Sequence, residues 1–158
     1  MKQEINQTGF LNNVAEIELT YKSKVKASDL ATIKCSADAF KIFMEFWDKN
    51  KIELVEQFNV MFLNRANKVL GIYQLSSGGL TGTVADPRLL FIAGLKIGAS
   101  NCIIAHNHPS CNTKPSSADT ELTKKIKEGG KILDIQLLDH LIITAEQEYK
   151  SMADEGLM

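Results

Sequence analysis

Two of the three histidines in this sequence, His106 and His108, stand two residues apart at the end of an apolar run, Asn101–Ala105 (NCIIA). In an extended chain alternate residues share a side, so two imidazoles at this spacing can converge on one metal ion. Imidazole suits zinc well. Asp119 follows in what reads as the first turn of a helix. Leu122 and Ile126 stand three and seven positions later, so Asp119 shares their apolar face. An unpaired carboxylate facing a core is costly, and a bound cation removes the cost. Two histidines and a carboxylate leave a fourth position for water, which is the pattern of a catalytic rather than a structural zinc. Each residue alone has a plainer reading. Histidines near strand ends bond to backbone, and an acid in a first helical turn complements the macrodipole. The joint spacing is His-x-His, seven residues, Ser, two residues, Asp. Chance yields it on the order of once in a few thousand chains of this length at average residue usage, and that tips the balance toward the metal.

The elements that must position these groups can be read from the same sequence. Ala15–Tyr21 (AEIELTY) alternates as a strand, and Lys22 opens a polar loop. Ser36 suits the N-cap of a helix whose Phe40, Phe43 and Trp47 lie on one face, an aromatic stripe that reads as core. Glu53–Leu63 and Val69–Leu75 read as two strands joined by a turn at Asn64–Lys68, followed by a glycine-bearing loop, Ser76–Gly82. Asp86-Pro87 starts a second helix and Gly98 closes it. Asn101–Ala105 reads as a central strand buried on both faces, and His106–Pro115 as a polar loop. Ser116 caps a third helix in a capping-box-like pattern with Asp119, and Gly129-Gly130 ends it. Ile132–Thr144 carries one or two strands, and Tyr149–Met152 reads as a further short one. Helices interleave with strands, so the expected fold is α/β: a single three-layer domain over residues 36–158, with a mixed β-sheet flanked by helices. Residues 1–35 form an N-terminal extension of strand and loop.

Bulk properties narrow the function classes. A chain of 158 residues with 44% hydrophobic and 23% charged residues is a one-domain globular composition. A net charge of −1 gives no general electrostatic reason to expect nucleic acid or a membrane surface as partner. Three cysteines, Cys35, Cys102 and Cys111, have no paired spacing, which argues against a disulfide framework. The first residues, MKQEINQTGFLNN, lack the apolar region of a signal peptide, and no stretch approaches the length of a membrane span. The expected location is the cytoplasm.

The segment His106–Asp119, H-N-H-P-S-C-N-T-K-P-S-S-A-D, resembles the JAMM (JAB/MPN) metallopeptidase signature H-x-H-x7-S-x2-D. H-N-H-P-S, then P-S-x-x-D, then L-D-H-L-I-I over Leu138–Ile143, resembles the RadC branch of that family. The likeness runs from about Glu53 to Met158. It implies a fold like that of the JAMM proteins and cytidine deaminases. It also implies Zn2+ as cofactor, held by His106, His108 and Asp119, and a protein or peptide substrate. Ser116 would donate a hydrogen bond to the oxyanion, and an upstream strand glutamate would be the general base. Glu56, in V-E-Q-F, matches that position best, with Glu53 as its rival.

The sequence departs from the pattern in places. Cys111 stands where RadC proteins usually have glycine, and Ala85-Asp86-Pro87-Arg88 replaces V-H-P-R. A thiol so close to the histidines could compete as a soft ligand. Residues 1–35 are too short for the helix-hairpin-helix DNA module of many RadC chains, so the family's association with DNA repair gains no support here. A non-catalytic binding module that keeps the fold is the rival class, and loss of the Glu56 role would favour it. A nucleobase deaminase would want H-x-E and P-C-x-x-C, and His108 stands where that glutamate would be. His140, beside Asp139 on an apolar strand, has two readings, a residue that supports the metal ligands and a satisfied structural histidine, and the second is the favoured one.

Overall fold

A computed structural model of the chain describes residues 25–78 and 84–158. The strand expected at Ala15–Tyr21 and most of the loop expected at Ser76–Gly82 lie outside these residues. After a short 3-10 turn at Ala27–Asp29, helix α1 spans Ser36–Phe46. Strands β1 (Gln57–Leu63) and β2 (Val69–Ser77) follow, then helix α2 (Pro87–Lys96) and strand β3 (Asn101–Asn107). Helix α3 (Ser117–Ile132) leads to β4 (Gln136–Ile143) and β5 (Tyr149–Ser151). The five strands form one sheet in the order β2-β1-β3-β4-β5. Among the described residues only the β3–β4 pair is parallel, and α3 is its crossover, so the sheet is mixed. The fold is the three-layer α/β arrangement that the interleaved pattern implies.

The sheet divides the core in two. On one side Phe43 and Trp47 of α1 meet Met61, Leu63, Ile103, Ala105, Leu141 and Ile143. On the other, Leu90 of α2 and Ile126 of α3 meet Phe58, Val60, Phe62, Cys102 and Ile104. Every residue of β1, and of β3 after Asn101, is buried, as central strands covered on both faces require. The aromatic stripe of α1 is thus core, with Phe40 stacked on Tyr149 at a ring separation of 4.4 Å. Among the described residues no helix is long and apolar enough to cross a membrane.

Several boundaries move. The strand expected from Glu53 begins at Gln57. The preceding residues close a local turn in which the Ile52 and Val55 amides bond to Asp48 and Lys51. The central strand runs on to Asn107, so His106 belongs to the sheet and not to the loop. Cys35, not Ser36, is the N-cap of α1. The Ser36 hydroxyl reaches instead to Asp154 Oδ2 at 2.5 Å and to the Tyr149 hydroxyl. Asp86 caps α2 as expected, accepting from the Arg88 amide, and Gly98 closes it with φ +66°.

Helix α3 does not stop at Gly129-Gly130; it continues to Ile132. The two glycines are there for close approach. A Cβ on Gly129 would sit 2.8 Å from the Phe91 ring, and one on Gly130 would run into the Ile135 carbonyl oxygen. The obstacle at Gly130 is backbone and cannot rotate away. Gly130→Ala should therefore destabilise the fold by about 2–3 kcal/mol, although alanine is the better helix former. Urea unfolding checks this, and a variant at least as stable as the parent would refute the packing account.

Candidate metal centre

Strand parity builds the site. Along β3, Cys102, Ile104 and His106 face the α2–α3 side, while Ile103, Ala105 and Asn107 face α1. His108, one residue past the strand, continues the first row. Phe58, opposite His106 in the β1–β3 register, packs its ring nearly parallel to the imidazole at 5.9 Å. Helix α3 then brings its first turn to the same end of the sheet. Ser116 closes a capping box with Asp119: its hydroxyl accepts from the Asp119 amide, and Asp119 Oδ2 accepts from the Ser116 amide at 2.7 Å. This pins the carboxylate and leaves Oδ1 turned toward His106.

His106, His108 and Asp119 come together in this way. His106 Nε2 lies 2.9 Å from His108 Nε2 and 3.2 Å from Asp119 Oδ1, and His108 Nε2 lies 3.7 Å from Asp119 Oδ2. One ligand atom from each lies within 4.8 Å of the others. Ligands about 2.0–2.1 Å from a tetrahedral ion sit roughly 3.3 Å apart, so the spacing fits such an ion. The donor chemistry fits as well. His108 Nδ1–H donates to the Asn112 carbonyl at 2.5 Å, which can only accept, so a neutral His108 presents a lone pair at Nε2. Asp119 is an acceptor when ionised. Two acceptors, His108 Nε2 and the Asp119 carboxylate, thus meet beside His106, an arrangement that suits a cation. Without a metal, a proton does part of that work. The bond to Asp119 raises the His108 pKa against the opposing effect of burial. Burial pushes the Asp119 carboxyl up, but the bonds to His106 and His108 hold it far below the usual carboxylate range.

Glu56 lies just before β1, half-buried, and its carboxyl feels the charges of all three converging residues. Burial raises its pKa, the two histidines oppose that, and Asp119 adds to it. Glu53 is exposed in the preceding turn. Asn107, pointing to the opposite face from the histidines, fixes the backbone on both sides of Glu56. Its Oδ1 accepts from the Gln57 amide at 2.7 Å, and its Nδ2 donates to the Val55 and Ile52 carbonyls at 2.9 and 2.6 Å. The Ser116 hydroxyl is engaged, donating to Asp119 Oδ2 at 2.7 Å.

A family model described as RadC-like JAB domain matches residues 33–157. The chain belongs to the RadC-like JAB domain family. A UPF0758 protein of Flavobacterium johnsoniae is 44% identical over 156 residues, covering 97% of this chain and 66% of that protein. A UPF0758 protein of Porphyromonas gingivalis is 41% identical over 103 residues, covering 65% of this chain and 45% of its own. The chain thus spans two thirds or less of the length of these relatives. In this RadC-like domain the Cys111 backbone lies in the left-handed region, φ +57°. Glycine enters that region freely, whereas other residues lose about 1–2 kcal/mol there. Its thiol is not one of the converging ligands; the Sγ lies 4.0 Å from the Pro109 carbonyl.

Sequence reasoning missed Asn107, whose only signal was its place between the two histidines, on the other side of the strand. Asn107→Leu keeps the volume but strands one amide and two carbonyls. It should lower stability by at least about 3 kcal/mol, read by denaturant unfolding. A loss under about 1 kcal/mol would mean that these bonds do not hold the Glu56 segment.

Proposed function

We propose that this domain is a zinc-dependent hydrolase of amide bonds, acting on a peptide or isopeptide in a protein substrate. The carrying observation is the convergence of His106 Nε2, His108 Nε2 and the Asp119 carboxylate within bonding range of one ion. Two imidazoles and one carboxylate are a donor set that zinc accepts, and they leave a coordination position open. Bound zinc supplies Lewis acidity and brings the pKa of its water toward neutrality.

The chain's own residues carry the remaining roles. Glu56 takes a proton at its carboxylate as the water attacks the amide carbonyl. Its half-buried setting, which raises the carboxyl pKa, makes it the better base. The same carboxyl then returns the proton to the leaving amine. Ser116 donates a hydrogen bond from its hydroxyl to the developing oxyanion, exchanging its bond to Asp119 Oδ2 for that partner. Asp119 keeps the Ser116 amide bond meanwhile, so the helix cap survives the exchange.

The test uses zinc-loaded protein on a panel of fluorogenic peptides and isopeptide-linked conjugates. Wild-type turnover should vanish on chelation and return with zinc. Glu56→Gln should keep the metal and lose about 10³-fold or more in turnover, because an amide cannot accept the proton. Ser116→Ala should lose about 10²-fold, the scale of one oxyanion donor. His108→Ala should lose both zinc and activity. Full activity in Glu56→Gln would defeat the mechanism even with zinc present, and a zinc-loaded protein inert on every substrate class would favour a binding module.

A further inference from the structure

The three histidines form a chain of which the metal reading uses two. His140 on β4 is fully buried, and its Nε2 lies 2.8 Å from His106 Nδ1. On its other side, His140 Nδ1 lies 2.6 Å from Thr123 Oγ1, one turn along α3 from Asp119. The Thr123 hydroxyl in turn donates to the Asp119 backbone carbonyl at 2.6 Å. The chain therefore leaves one metal-facing residue, His106, and returns to another, Asp119.

Counting protons gives this loop a direction. A cation held at His106 Nε2 leaves a neutral His106 with its single proton on Nδ1. That proton is buried and needs an acceptor, and His140 Nε2 is in place to accept it. His140 must then carry its own proton on Nδ1, where the Thr123 oxygen accepts it. The Thr123 hydroxyl proton is free to do what the geometry shows, donating to Asp119. Each donor meets one acceptor, with no proton left over and none missing.

We propose that His140 and Thr123 are positioning residues of the metal centre: they hold His106 in the orientation and tautomer that present its Nε2 lone pair to the ion. This rests on the metal reading above. Neither residue touches the ion or the substrate. A histidine that merely fills core space would be replaceable by an apolar ring of similar size, which sets the two roles apart.

The experiment is a zinc titration against a chromogenic chelator on wild type, His140→Phe, His140→Gln and Thr123→Val, with metal-free thermal unfolding to show that each is folded. His140→Phe should bind zinc about 10- to 100-fold more weakly, the usual loss for such supporting contacts. His140→Gln, whose side-chain oxygen can accept from His106 Nδ1–H, should recover most of that loss, and Thr123→Val should fall between. Nitrogen-15 NMR of zinc-loaded wild type, labelled at histidine, should find His140 protonated at Nδ1 and bare at Nε2. That measurement stands even where a variant fails to fold. Wild-type affinity in folded His140→Phe, or a proton on His140 Nε2 in the loaded protein, would overturn this inference and leave the zinc reading intact. A wild type that binds no zinc would overturn both.

Discussion

The two-residue repeat of β3 is the constraint on which the rest of this molecule depends. Because side chains alternate across a strand, His106 and His108 fall on the α3 side while Asn107 between them falls on the α1 side. One tripeptide thereby does two jobs on opposite faces. The histidines converge on Asp119, and the asparagine ties down the segment carrying Glu56. A slip of one residue in the β1–β3 register would exchange these faces, aiming the imidazoles at the α1 core and the amide at α3. The burial of β1 and β3 on both sides enforces the register. The hydrophobic core and the candidate metal centre are in this sense one construction, since the same alternation that fills two cores also aims the two histidines.

The second support is the first turn of α3. A carboxylate in a capping box is a common way to finish a helix, and here the same carboxylate also faces the histidines. Oδ2 is occupied by the Ser116 amide and hydroxyl, and Oδ1 faces His106. The cap fixes the rotamer, so little side-chain entropy remains to be lost when an ion binds. The parallel crossover from β3 through α3 to β4 places this turn at the C-terminal end of β3, where open α/β sheets bind their ligands.

Much of this was legible in the sequence, and what was not has identifiable causes. The His-x-His and Ser-x-x-Asp spacings act over a few residues, and local periodicity was enough to bring those side chains to one place. The Gly129-Gly130 pair misled because two glycines normally signal a helix end. Their actual reason, the approach of Phe91 and the Ile135 carbonyl, is tertiary. The facing of His140 was hidden by a register shift. Cys102 pairs with Leu137, yet Ile103 pairs with Asp139, so one residue of β4 is skipped and the alternation reverses partway along the strand. No count of alternate residues from Leu137 could have put His140 on the same side as His106. Glu56 is half-buried at the edge of β1 while Glu53 is exposed in the turn before it, a difference set by where β1 begins, and the Asn107 bonds and the local turn mark that point. Cys111 illustrates the converse: the sequence flagged a missing glycine, and the left-handed backbone supplies the reason for it.

The central claim is that His106, His108 and Asp119 together hold one metal ion, and metal content measures it most directly. Protein purified without chelator, then dialysed against a small excess of zinc, should carry about one zinc per chain. X-ray absorption should give two nitrogen ligands and oxygen ligands at about 2.0–2.2 Å, with no sulfur at the roughly 2.3 Å of a thiolate. A folded protein that takes up no zinc under these conditions would contradict the account, as would zinc bound through the Cys111 sulfur.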